Sequence, residues 1–313
     1  MAIWTSLFPV VDHYLHLTSP IATLLVGVWL VGTLQVTSLQ GVLLGYQRFS
    51  TYGVGLFIGN GLVRLVLGVV LAAAGVGITG PMLATTVGSA VTCIYYAWNL
   101  RDDLRSRSAF FPNIRDMALS VCALSGAALL GSIDVWLARH FLSGTNAGIF
   151  AAAATAGRLA LFLPGVILSI YFPRLAQVGG RGPTARAVLL RCTGAVGLTS
   201  FVTAGIIAMT PRLTVDLLFG SQYGAATAAI STIAAADALI AVANCFVYYE
   251  IAGRRRTALV PWCGCGLAIV LTISFHRDPE IIALDMLSAS VGLLLVQGLV
   301  LLVRLVWSGE DRE

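Results

Sequence analysis

Long apolar runs, broken by short polar connections, set the pattern of this chain. Nine runs approach the ~20 residues that a helix needs to cross a bilayer. They cover Pro20–Leu44, Gly53–Val76, Pro81–Leu100, Met117–Phe141, Ala147–Leu175, Ala187–Thr210, Ala225–Ile251, Thr257–Phe275 and Ile281–Trp307. Period-two alternation is absent, which argues against a β-barrel. Gly, Ala, Ser and Thr recur inside the runs and suit close helix packing. The pattern predicts an all-α polytopic membrane protein with nine transmembrane helices.

Composition narrows the class. Of 313 residues, 58% are hydrophobic and 11% charged, with mean hydropathy +0.90. Soluble domains average about 45–50% apolar and about 25% charged, so a soluble, disordered or collagen-like chain is excluded. All 19 basic residues are Arg. Their placement predicts orientation. One set of alternate connections holds 13 of them: Arg48; Arg101, Arg105, Arg107 and Arg115; Arg174, Arg181 and Arg186; Arg254, Arg255 and Arg256; Arg304 and Arg312. The other set holds only Arg139, Arg212 and Arg277. By the positive-inside rule the C-terminus is cytoplasmic, and with nine spans the N-terminus lies outside. Met1–Leu17 has no basic residue and so lacks the n-region of a signal peptide.

An internal repeat accompanies this topology. Leu44–Gly59 (LGYQRFSTYGVGLFIG) aligns with Ile251–Gly266 (IAGRRRTALVPWCGCG) at an offset of 207. Met82–Gly88 (MLATTVG) aligns with Met286–Gly292 (MLSASVG) at an offset of 204. Two parallel lobes follow, a common plan in transporters. Residues 1–113 form a partial N-terminal lobe of three helices, and 114–313 a C-terminal lobe of six. The offset implies that about 90 residues, or three spans, are missing ahead of Met1.

Ionisable groups at membrane depth cost roughly 2.5–3.5 kcal/mol or more, and mark function or a partner. Arg64 falls near the middle of the second span, with Asn60 one turn earlier on the same face. Arg158 falls in the fifth span, Asp237 in the seventh, and Asp134 in the outer third of the fourth. Guanidinium binds phosphate bidentately and keeps its charge when buried, so Arg64 and Arg158, with Asn60, form a candidate substrate-phosphate site. A structural pair with Asp134 or Asp237 is the alternative. Asp237 and Asp134 are candidates for ion coupling or a counter-ion role. Pro164 follows Arg158 by six residues and predicts a kink suited to a gate. Arg191 and Glu250 lie near span ends and are read as snorkelling. Gln35, Gln40, Asn99 and Asn244 are read as helix–helix hydrogen-bond partners.

No enzyme motif emerges. The six Cys show no C-x-x-C pair or metal spacing and read as packing thiols. His13, His16, His140 and His276 fall in outer-side segments outside any catalytic or metal pattern. Asp102-Asp103 reads as a solvated turn. No Walker motif is present, so no cofactor is expected, and no basic stretch interleaved with aromatics suggests nucleic acid.

Five stretches carry a family resemblance: Leu39–Phe49 (LQGVLLGYQRF), Asn60–Leu71 (NGLVRLVLGVVL), Asp134–Leu142 (DVWLARHFL), Ala147–Ala176 (AGIFAAAATAGRLALFLPG, then FPRLA) and Leu217–Ala226 (LLFGSQYGAA). In order and spacing the chain resembles the polysaccharide-biosynthesis flippases (Wzx-like) of the multidrug/oligosaccharidyl-lipid/polysaccharide exporter superfamily. The resemblance implies a two-lobed fold of 12 to 14 helices around a central cavity, the first lobe here being incomplete by three helices. It implies translocation of a polyprenyl-diphosphate-linked oligosaccharide across the bacterial inner membrane by alternating access. Arg64 and Arg158 would lie in the family's fifth and eighth helices and engage the lipid's phosphates. Partners would be that lipid, the bilayer and polysaccharide-assembly membrane proteins. The alternatives are a small-molecule exporter of the same superfamily, an inactive N-terminally truncated fragment and, least favoured because the outer loops are short, a membrane glycosyltransferase.

Overall fold

The computed structural model describes residues 20–77, 79–105, 113–180, 182–275 and 277–307. His13, His16, His276, Arg107, Arg181 and Arg312 lie outside them. Among the described residues 91% are helical and none is in a strand. Seven helical stretches among the described residues are long and apolar enough to cross a membrane, and an eighth if the bent pair Ile114–Leu130 and Ile133–Phe141 forms one span. The third predicted span is a 21-residue helix, Thr79–Asn99. Its Thr, Ser, Gly and Tyr residues keep it below the apolarity of the other seven. The chain divides into two compact units, Met1–Phe110 and Phe111–Glu313.

The first unit contains α1 (Pro20–Gly45), α2 (Phe49–Gly55), a π-helical segment (Leu56–Val63), α3 (Arg64–Ala73), α4 (Thr79–Asn99) and α5 (Arg101–Arg105). The run from α2 through α3 is one span, widened in its middle. The Arg64 N–H reaches back five residues to the Gly59 carbonyl, the bonding of a π turn. Packing on α4 explains the widening. Gly59 and Gly88 meet backbone to backbone, and a Cβ on Gly59 would lie 2.0 Å from Thr92 Oγ1. Tyr96 donates its hydroxyl to the Tyr52 carbonyl at 2.7 Å, and Thr92 Oγ1 lies 3.4 Å from the Gly55 carbonyl. Both groups serve carbonyls at the entry to the segment, where the α ladder is interrupted.

The second unit contains α6 (Ile114–Leu130), α7 (Ile133–Phe141), α8 (Gly144–Gly157), α9 (Leu159–Gln177), α10 (Gly182–Met209), α11 (Pro211–Phe219), a 3₁₀ turn (Ser221–Ala226), α12 (Thr227–Ala252), a second 3₁₀ turn (Arg256–Leu259), α13 (Pro261–Phe275) and α14 (Pro279–Trp307). Helix α12 is its centre and packs against α8, α9, α10 and α14. It is buried on most of its circumference, as expected of a helix apolar all round. Ala234, Ala236, Ala238, Ala241 and Ala243 let its neighbours approach closely.

The aligned turns of the two units share one geometry. Gln47 (φ 57°) and Arg254 (φ 53°) are the described non-glycine residues with positive φ, and they sit at the offset of 207. The Gln47 and Arg48 N–H groups bond the Leu44 and Leu43 carbonyls; those of Arg254 and Arg255 bond the Ile251 and Glu250 carbonyls. Gly88 and Gly292, matched at 204, each lie against the preceding span of their unit, at Gly59 and Leu267 respectively.

Candidate functional site

The interior charges of the second unit form one constellation around a helix break. Between α6 and α7 the backbone leaves helical geometry at Gly131 and Ser132, and the two halves bend by 47°. A break at membrane depth frees carbonyls at the end of α6 and N–H groups at the start of α7. Arg158 bridges it. Its Nε donates to the Gly131 carbonyl at 3.1 Å and its Nη2 to Asp134 Oδ1 at 2.7 Å. The cation meets the negative end of α6, and Asp134 sits in the first turn of α7, where the dipole favours an anion. Asp134 is 5% exposed.

Arg158 itself stands at an interruption. Gly144–Gln177 is one span of 34 residues, and Arg158 marks the boundary between α8 and α9 within it. The predicted kink at Pro164 takes a different form: α9 continues through Pro164 and Pro173, and the irregularity lies at Arg158. Pro164 is buried and lines a small cleft with Leu168, Val196, Ala241 and Asn244. Its free volume is about 10 Å³, room for one water.

Asp237 on α12 is 5% exposed, and its Oδ2 has no hydrogen-bond partner among the described residues. It interacts electrostatically with both Asp134 and Arg158. Two carboxylates against one guanidinium leave the constellation one positive charge short of neutral. Ser200, on α10, lies at the level of Asp237. Sγ atoms of Cys192 and Cys245 lie 3.8 Å apart and Gly197 faces Val242, which fixes an antiparallel register. Continued outward, that register sets Ser200 level with Asp237. Its buried Oγ is also unpaired.

The structure thus brings Asp134, Arg158 and Asp237 together. Arg64 and Asn60 belong to the first unit. Arg64 is exposed at the exit of the π segment, with no ion-pair or hydrogen-bond partner for its side chain among the described residues, and its Cβ lies against Gly88. Asn60 is half-buried inside the segment.

Glu250 corrects the snorkelling expectation. It is 5% exposed and held by Arg304 Nη1 at 2.5 Å and Nη2 at 3.1 Å, with the Thr257 hydroxyl donating to Oε2. Arg255 adds a looser ion pair at 3.8 Å. Arg304 lies 54 residues along the chain, so local spacing carried no sign of it. Among the described residues no three or more His, Cys, Asp and Glu side chains gather to hold a metal ion.

Compared with models of protein families, with curated proteins and with solved structures, the chain matches none.

Proposed function

We propose that this protein is a multi-pass carrier of the polysaccharide-flippase type, moving a polyprenyl-diphosphate-linked oligosaccharide across the bacterial inner membrane by alternating access, for cell-surface polysaccharide synthesis. The observation that carries the reading is the interior constellation Asp134–Arg158–Asp237, built across a broken span. Apolar helices tolerate such groups where they serve a pathway. No nucleotide-binding motif accompanies them, so the drive is a gradient or the membrane potential, worth about 2.3 kcal/mol per charge per 100 mV. The nine spans, the two-lobed plan and a cytoplasmic C-terminus are part of the same proposal.

In this reading Arg64 is the primary phosphate ligand, because its guanidinium is exposed and has no partner among the described residues. Arg158 acts as an exchangeable partner. A diphosphate that takes its Nη2 displaces Asp134, and the freed carboxylate with Asp237 then favours a cation. Substrate and cation binding are thereby coupled through one guanidinium. The test is translocation of a lipid-linked sugar in reconstituted vesicles. Arg64→Ala and Arg158→Ala are expected to lower the rate at least ~10-fold, the loss of one charge-assisted contact. Unchanged rates would remove their assigned role.

A second reading, an exporter of small cationic solutes, is favoured by the surplus carboxylate Asp237. Transport of a cationic dye that is abolished by Asp237→Asn and indifferent to Arg64→Ala would select it.

A further inference from the structure

A fourth buried carboxylate lies outside the constellation and apart from Glu250. Asp285 on α14 is 7% exposed, and its Oδ2 has no hydrogen-bond partner among the described residues. A carboxylate left this way in an apolar interior is destabilising by several kcal/mol unless a proton or metal cation neutralises it.

Thr272 on α13 gives the independent observation. Hydroxyls in these helices habitually bond back to the carbonyl four residues earlier: Ser274 to Val270, Ser288 to Leu284, Ser290 to Met286. Thr272 is fully buried, yet its Oγ1 makes no such bond and is unpaired. Its hydroxyl is therefore left without a partner on its own helix.

Register brings the two together. Gly264 faces Leu293 and Gly292 faces Leu267, so α13 and α14 run antiparallel with Thr272 level with Asp285. They also share a face. Cys265 and Ala268 of α13 pack in one cluster with Ala289 and Leu293 of α14. One further turn along each helix reaches Thr272 and Asp285.

Among the described residues no charged group bonds Asp285 Oδ2. Helix α7 turns Ile133 and Leu137 to this cluster, Asp134 pairs with Arg158, Arg139 and His140 lie in its last turn, and Arg277 precedes α14. Helix α12 contributes Ala236, Ile240 and Ala243, with Asp237 directed to the other constellation. Helices α8 and α13 contain no charged residue, and those of α14 besides Asp285, Glu280 and Arg304, lie near its ends.

We propose that Asp285 and Thr272 form a second cation-binding site in the unit, for one small monovalent cation held by carboxylate and hydroxyl oxygens. Proton and sodium share this chemistry, and hard oxygen donors suit both. The site stands independently of the transported substrate and of Asp237.

The full chain in lipid nanodiscs provides the test, as wild type, Asp285→Asn, Thr272→Val and the control Ser274→Ala, whose hydroxyl bonds back to its own helix. Unfolding temperature is followed against NaCl at constant ionic strength, and against pH, with the carboxyl infrared band recorded in parallel. For sodium, wild type and Ser274→Ala are stabilised by the salt, and the Asp285 and Thr272 variants need at least ~10-fold more of it. For a proton, sodium is without effect and a titrating carboxyl band present in wild type and Ser274→Ala is lost in Asp285→Asn. Responses to sodium and pH in the Asp285 and Thr272 variants identical to wild type overturn the site. If Asp285→Asn fails to fold, Thr272→Val, nearly the same volume without the hydroxyl, decides by the same measurements.

Discussion

Arg158 does structural and electrostatic work with one side chain. It ends α6, orients Asp134 and sets the potential at Asp237. Removing one member of a buried pair strands the other, at a cost of about 3–5 kcal/mol, whereas removing both is far milder. Arg158→Ala and Asp134→Ala are each expected to lower stability by about that amount, and the double variant by clearly less than their sum. Chemical denaturation in detergent of the four proteins measures the coupling. The individual residues Arg158, Asp134 and Asp237 were legible in the sequence because charge inside an apolar run is conspicuous. Their joint geometry was not, because it depends on the break at Gly131–Ser132, and neither residue forbids a helix. Glu250 was misjudged for a related reason: nearness to a span end suggested solvent, while a partner 54 residues away keeps it buried.

At the scale of the element, glycines decide where helices touch. Gly59 is the strictest case, since an added Cβ would lie 2.0 Å from Thr92 Oγ1 and 2.7 Å from the Gly88 carbonyl. Gly194 has nothing within 4 Å of the same position. Gly59→Ala is expected to separate the π segment from α4 and cost about 1–3 kcal/mol by overpacking, while Gly194→Ala is neutral or slightly stabilising through helix propensity. Thermal unfolding of both variants checks the contrast. Runs of apolar residues foretold the helices well, because hydrocarbon admits few other backbone forms. They foretold neither the π segment nor the interruption at Arg158. Both are set by tertiary contacts, and a mid-span proline was the more visible signal.

For the whole molecule, arginine distribution and the repeat are the informative patterns. The proposed orientation predicts that single cysteines at residues 144 and 278 react with an impermeant thiol reagent from the outer side. Cysteines at 180 and 256 should react from the cytoplasmic side, all in a background free of the six natural cysteines. Labelling of intact and opened cells distinguishes the two sides, and the reverse pattern would invert the assignment. The repeat was visible as short matches at nearly equal offsets. Its strongest expression, a left-handed residue at Gln47 and again at Arg254, involves unlike side chains and leaves no mark in an alignment of letters.

Those twin corners give the two units one matching element. Both place an L-residue where glycine is favoured by about 1 kcal/mol, so Gln47→Gly and Arg254→Gly should each relieve similar strain. They differ in one respect: Arg254, itself exposed, also holds Asp116 at 3.1 Å, and Gln47 has no such partner among the described residues. Measured side by side, the shortfall of the second substitution against the first reads out the worth of that ion pair. The chain supplies its own reference state for the comparison.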